Sequence, residues 1–208
     1  MSICTKAWAI LGALLLSAGC EPNPKAVNAN LNAAVQAKNP LELRRTLSAT
    51  EVARAAEARL LPNTARSILP QGAMSHGDHV WDEAGIEPGQ IRVWVDVSRQ
   101  TVSVFEGGHE IGTAVILYGA PEYETPLGTF SILRKVADYR SKTYDAPMPY
   151  SLFLTNDGVA LHASEVTTHR ATHGCIGLPE EFAEKLFRRA SKGDEVTIVR
   201  SVELLEAI

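Results

Sequence analysis

With 208 residues, 45% of them apolar, and a formal net charge of −4, the chain has room for one ordinary domain with a leader and hardly for two. Its 20 Lys and Arg against 24 Asp and Glu give no basic surface for a polyanion, which excludes nucleic acid as a partner.

The first elements in chain order concern export. Residues 1–19 carry Lys6, an apolar run from Ala7 to Leu16, and Ser17-Ala18-Gly19 immediately before Cys20. The run is about half the ~20 residues a membrane-spanning helix needs, so it reads as a cleaved signal peptide. Small residues before a cysteine resemble a bacterial lipobox, with Ser17 where Leu is usual. Lipidation of Cys20 is therefore expected, giving a periplasmic, membrane-anchored lipoprotein. Residues 20–39, rich in Asn, Ala and Pro, read as a tether.

Residues 40–89 are expected to form a helical and loop-like N-terminal segment. Asn39, Pro40 and Glu42 make a helix start, and Ser48 with Glu51 forms a capping box. One bent helix or two short ones should lie between Pro40 and Leu61, ended by Pro62-Asn63. The stretch up to Pro88-Gly89 reads as loop, with His76 and His79 solvated. Trp81 and Trp94 are expected to pack in the core or at its rim.

After Gly89 the period changes. Ile91, Val93, Val95 and Val97 alternate with Arg92, Trp94 and Asp96, which predicts a strand. Thr101–Phe105 alternates again, and Gly107-Gly108 turns the chain into Ile111–Tyr118, a β-meander. Further strands are predicted at Gly128–Leu133, Ser151–Thr155 and Val159–His162, the last two joined by the turn Asn156-Asp157-Gly158. Pro179–Ala190 reads as a helix with acids in its first turn and arginines in its last, and Glu195–Val199 as a final strand.

The cysteine count points to chemistry. Cys4 lies in the leader and Cys20 would be a thioether, so Cys175 is the one thiol left to the mature domain. His162, His169, His173 and Cys175 fall together, with Cys175 ending Thr172-His173-Gly174-Cys175. A nucleophilic thiol needs a base for its proton and donors for the oxyanion it creates. The histidines offer the first, and the amides of Gly174 and Cys175 the second. A helix starting at Pro179 is expected to favour a thiolate. The rival reading, a zinc site, lacks the paired ligand spacing, so no metal or cofactor is expected. His169 is read as a loop histidine that can reach substrate, and Tyr144 and Tyr150 as flap residues over the site.

Leu161-His162-Ala163, then Thr172-His173-Gly174-Cys175-Ile176-Gly177-Leu178, with Thr125-Pro126-Leu127-Gly128-Thr129-Phe130 and Met148-Pro149-Tyr150 before them, resemble the YkuD-type L,D-transpeptidase catalytic domain. The resemblance implies a mostly β, β-sandwich-like catalytic domain over residues 90–200, with one or two helices, preceded by the short helical segment. It implies attack on peptidoglycan stem peptides between the L-centre of diaminopimelate and a terminal D-alanine, through a thioester on Cys175. His162 would be the general base, oriented by a backbone carbonyl. His173 would shape the loop, and Thr172, Tyr150, His169 and Gly177 would lie against substrate.

Three positions depart from the family pattern: Thr172 for Ser, Ala163 for Gly, and Gly177 for Arg, the last removing a cation beside the site. With an amine as acceptor, the resemblance implies a crosslink or an attached protein or D-amino acid. With water instead, the same site would be an L,D-carboxypeptidase or amidase. From a different class, Gly177 admits a catalytically weak, wall-binding lipoprotein.

Overall fold

The computed structural model describes residues 44–70 and 72–202; the expected signal peptide, Cys20 and the tether lie outside them. The described chain starts with strand β1 (Arg45–Thr46) and helix α1 (Ala49–Glu57). The capping box is formed: Ser48 Oγ accepts from the Glu51 amide at 3.3 Å, and Glu51 Oε2 accepts from the Ser48 amide at 2.8 Å. A longer helix reaching back toward Pro40 is not seen at Arg45–Thr46, which is extended because it pairs with β2 (Ser67–Ile68). The stretch read as loop contains a third short strand, β3 (His79–Trp81). Strands of two or three residues show no alternation of their own, and only a partner edge orders them.

The predicted meander is β4 (Ile91–Asp96), β5 (Thr101–Glu106) and β6 (His109–Val115), paired antiparallel in sequence order. Four strands follow: β7 (Gly128–Ser131), β8 (Arg134–Val136), β9 (Ser151–Phe153) and β10 (Ala160–Ala163). The described chain ends with β11 (Ile176–Leu178), helix α2 (Glu180–Arg189) and β12 (Glu195–Val199). The larger sheet runs β1-β2-β6-β5-β4-β12-β7, with β3 also on the edge of β6, and the smaller runs β11-β10-β9-β8. No helix among the described residues is long and apolar enough to cross a membrane.

Alternation explains the layers. Ile91, Val93 and Val95 face inward and are buried with Leu161, Ile176 and Leu178 of the smaller sheet. The opposite face of the larger sheet carries Trp94 and Phe105, which α1 and its flanks cover with Ala55, Leu61 and Ala65. Trp94 Nε1 also donates to the Arg59 carbonyl at 3.2 Å.

Helix α2 turns Phe182, Ala183 and Leu186 into the main core. Phe182 meets the ring of Trp81 edge-on, with centroids 5.3 Å apart. His79, read from sequence as solvated, lies edge-on to the Phe182 ring at 6.2 Å and its Nε2 sits 3.6 Å from Glu181. Because Phe182 is fully buried and ties α2 to β3, Phe182→Ala should cost about 3–5 kcal/mol in urea unfolding. A loss below about 1 kcal/mol would show that this contact is not part of the core.

Candidate active site

The geometry of the site follows from one parallel pair. β10 and β11 run parallel, with Leu161 opposite Ile176 and His162 opposite Gly177. Parallel neighbours cannot be joined by a tight turn, so residues 164–175 leave the sheet and return, carrying Thr172-His173-Gly174-Cys175. Leu161 and Ile176 point into the core. The period of two therefore puts His162 and Cys175 together on the outer face of the smaller sheet.

Cys175 lies there against Met148, Phe153 and Ala160, and its thiol donates to the Gly158 carbonyl at 3.7 Å. His162 is 8% exposed. Its Nδ1 lies 2.7 Å from the Ala163 carbonyl oxygen. A carbonyl only accepts, so Nδ1 carries the proton and Nε2 keeps a free lone pair. That carbonyl is itself held: the Ser164 amide of the same peptide unit donates to the Leu178 carbonyl at 2.8 Å, and the Ala163 amide donates to the Pro149 carbonyl at 2.9 Å. The methyl of Ala163 faces the core, so only its backbone serves the histidine.

Both reactive groups are buried enough to prefer neutrality. Burial lowers the His162 pKa, partly offset by its bond to Ala163. Burial also pushes the Cys175 thiol up, with hydrogen bonding to the Ala160 backbone working the other way. This runs opposite to the thiolate expected from the helix start, because desolvation disfavours the charged form. Alkylation of Cys175 by iodoacetamide should accordingly be slow at pH 7 and rise about tenfold per pH unit to beyond the ordinary cysteine range. A plateau below pH 7 would mean a stabilised thiolate.

His162, Thr172, His173 and Cys175 line one cavity of about 670 Å³. Thr172 is committed to structure as well: its Oγ1 donates to the Cys175 carbonyl at 2.5 Å and its amide to the Tyr118 carbonyl at 3.0 Å. Gly174 is buried with φ +99, a conformation other residues rarely adopt, beneath the Tyr123 and Glu124 carbonyls. His173 is stacked on Tyr144, with centroids 4.3 Å apart and planes at 19°, and Tyr123 meets it edge-on at 4.6 Å. Tyr144 comes from the lobe spanning residues 139–148, closed by the Arg140–Pro147 bridge, and is 52% exposed.

Three residues read from sequence as lying against substrate do not line this cavity. Tyr150, with φ +56, turns into the fold, packs on Phe187 at 5.8 Å and donates its amide to the Ala137 carbonyl. Its aromatic ring packs against the main core there. His169 is exposed on the 164–172 loop. Gly177 is buried in β11, bonded through both its amide and carbonyl to Leu117.

The sequence reading missed Ser164, Glu165, Arg170 and Glu180, which line the same cavity. The one signal for them was their position inside or just after the loop between His162 and Cys175. Among the described residues, no group of three His, Cys, Asp or Glu side chains is arranged to hold a metal ion.

Comparison with known proteins agrees with this fold. The YkuD family model, described as the L,D-transpeptidase catalytic domain, matches residues 90–198. An L,D-transpeptidase (Yku) from Stackebrandtia nassauensis superimposes with a TM-score of 0.51 at 28% identity, over 55% of this chain and 58% of that one. An L,D-transpeptidase from Mycobacterium tuberculosis H37Rv does so at 0.50 and 23% identity, over 53% and 58% respectively, and shows the shared fold. The chain thus spans a little over half the length of these structures. No curated protein matches it by sequence.

Proposed function

Because the chain belongs to the YkuD family of L,D-transpeptidase catalytic domains, we propose that it transfers the acyl group of peptidoglycan stem peptides through a thioester on Cys175. The observation that carries this reading is His162, whose Nδ1 proton is committed to the Ala163 carbonyl, leaving Nε2 as a base in the cavity that also holds Cys175. In the bound complex the thiol turns from the Gly158 carbonyl toward Nε2, which takes its proton as sulfur bonds to the stem-peptide carbonyl carbon. The amides of Gly174 and Cys175 donate to the oxyanion. Collapse breaks the bond to the D-alanine nitrogen, which receives the proton from His162. An acceptor amine then gives a proton to Nε2 and attacks the thioester, and Cys175 leaves with that proton. The product is a 3-3 crosslink or an attached protein or D-amino acid.

Intact-protein mass spectrometry of the domain with a disaccharide tetrapeptide, with and without an added D-amino acid, tests this. A Cys175 adduct with D-alanine exchange is expected. Loss of D-alanine to water alone would make the protein an L,D-carboxypeptidase, and neither adduct nor product would overturn the reading. The leader and Cys20 support a periplasmic setting, with the domain held to the membrane by a lipid on Cys20. Retention of Cys20→Ala protein in the membrane fraction would overturn that anchor.

A further inference from the structure

The charged side chains lining the Cys175 cavity are few. Among the described residues, Glu165, Arg170 and Glu180 are the Asp, Glu, Lys or Arg side chains that do so. Arg170 is the one permanent cation of the set. Its Nη2 lies 3.1 Å from Glu165 Oε2, with the two side chains 58% and 68% exposed. An exposed pair of this kind is weak and readily exchanged.

The register position beside His162 is closed to a cation. A Cβ at Gly177 would come within 2.9 Å of Ser164 Cβ and 3.2 Å of Leu117 Cβ, and both backbone groups of Gly177 are engaged by Leu117. No side chain fits there without moving Ser164 or Leu117. The loop between β10 and β11 is outside that position, and it places Arg170 in the lining of the Cys175 cavity and of a neighbouring one of about 470 Å³.

We propose that Arg170 anchors the free α-carboxylate at the C-terminus of the donor peptide, exchanging Glu165 for the substrate and so selecting peptides that end in an acid. A guanidinium presents two parallel donors that match a carboxylate in bidentate fashion, so an incoming terminal carboxylate competes well against the single contact to Glu165. The arrangement also fits the chemistry at Cys175, because the terminal residue is the leaving group and its carboxylate fixes which peptide bond is presented to the thiol. Arg170 touches neither the thiol nor the scissile carbonyl; it is a specificity residue.

This inference rests on the acyl-transfer reading above, and the experiment separates the two. Steady-state rates are measured for paired tetrapeptide donors ending in the free acid or the primary amide, using the whole domain and its Arg170→Gln and Glu165→Gln variants. Wild type should prefer the acid by about 10- to 100-fold in kcat/KM. Arg170→Gln should lose that preference, chiefly through a raised KM for the acid, so that the acid-to-amide ratio falls toward one. Glu165→Gln, which frees the guanidinium, should keep or increase the preference. A merely structural role for Arg170 would lower both donors together. Equal use of acid and amide by wild type, or an acid preference that survives Arg170→Gln, overturns the inference alone. Absence of turnover by wild type on either donor overturns the acyl-transfer reading and the inference with it.

Discussion

Cys175→Ala should abolish thioester formation and lower turnover on tetrapeptide donors by about 10⁶-fold, the scale seen when a nucleophile working with its base is removed. The alternative source of rate, water attacking directly with His162 as base, remains possible in the variant but lacks the covalent intermediate that splits the reaction into two easier steps. The fold should survive. Cys175 is only partly buried, packs on Met148, Phe153 and Ala160, and makes a long contact to the Gly158 carbonyl. Replacing sulfur by hydrogen there should cost on the order of 1 kcal/mol. The check is mass spectrometry for the adduct beside circular dichroism for the fold. Unchanged turnover in a folded variant would remove Cys175 from the mechanism.

His162→Gln is expected to lower kcat/KM by about 10²- to 10⁴-fold, the contribution of a positioned general base. Its pH behaviour is as diagnostic as its size. Burial depresses the folded pKa of His162, so the wild-type kcat/KM should hold down through pH 6.5 and fall only below it, as Nε2 becomes protonated. The same shift affects stability. A histidine kept neutral in the fold binds fewer protons than it does unfolded, so its contribution is complete above about pH 6.5 and is lost as pH falls toward the folded value. His109 is depressed in the same direction, by burial first and then by Arg66 and Arg44. His162→Gln should therefore reduce the acid loss of stability without eliminating it. Urea unfolding at pH 7.5 and pH 5 measures this, and an unchanged difference between the two would contradict the depressed pKa.

The neutral state of the pair bears on how the site works. A thiol and an imidazole that are both uncharged at rest avoid desolvating an ion pair in a site built against apolar side chains. Charge then develops only when a carbonyl is in place to receive the sulfur and backbone amides are in place to receive the oxyanion. Slow alkylation of the free enzyme and rapid acylation by a fitting donor are compatible in such a site.

Several features follow from local physics and are legible in the sequence alone. The alternation from Ile91 to Val97 sets a strand with one apolar face, Asn156-Asp157-Gly158 sets a turn, and Ser48 with Glu51 sets the start of α1, because each depends on residues within a few positions of one another. The ordered run from His162 to Cys175, with the earlier Thr125 to Phe130 and Met148 to Tyr150 segments, was sufficient to indicate the family and a mostly β fold. Tertiary structure decided the rest. Strands β1, β2, β3, β8 and β11 are too short to carry a pattern and exist through the edges they pair with. Tyr150 faces Phe187 rather than the flap, and Tyr144 rather than Tyr150 reaches His173, because the packing partners are distant in sequence. The rise of the Cys175 pKa and the closure of the Gly177 position to a side chain come from neighbours such as Phe153, Ser164 and Leu117. Burial and close approach are sums over the whole fold, whereas strands, caps and turns need only the chain nearby.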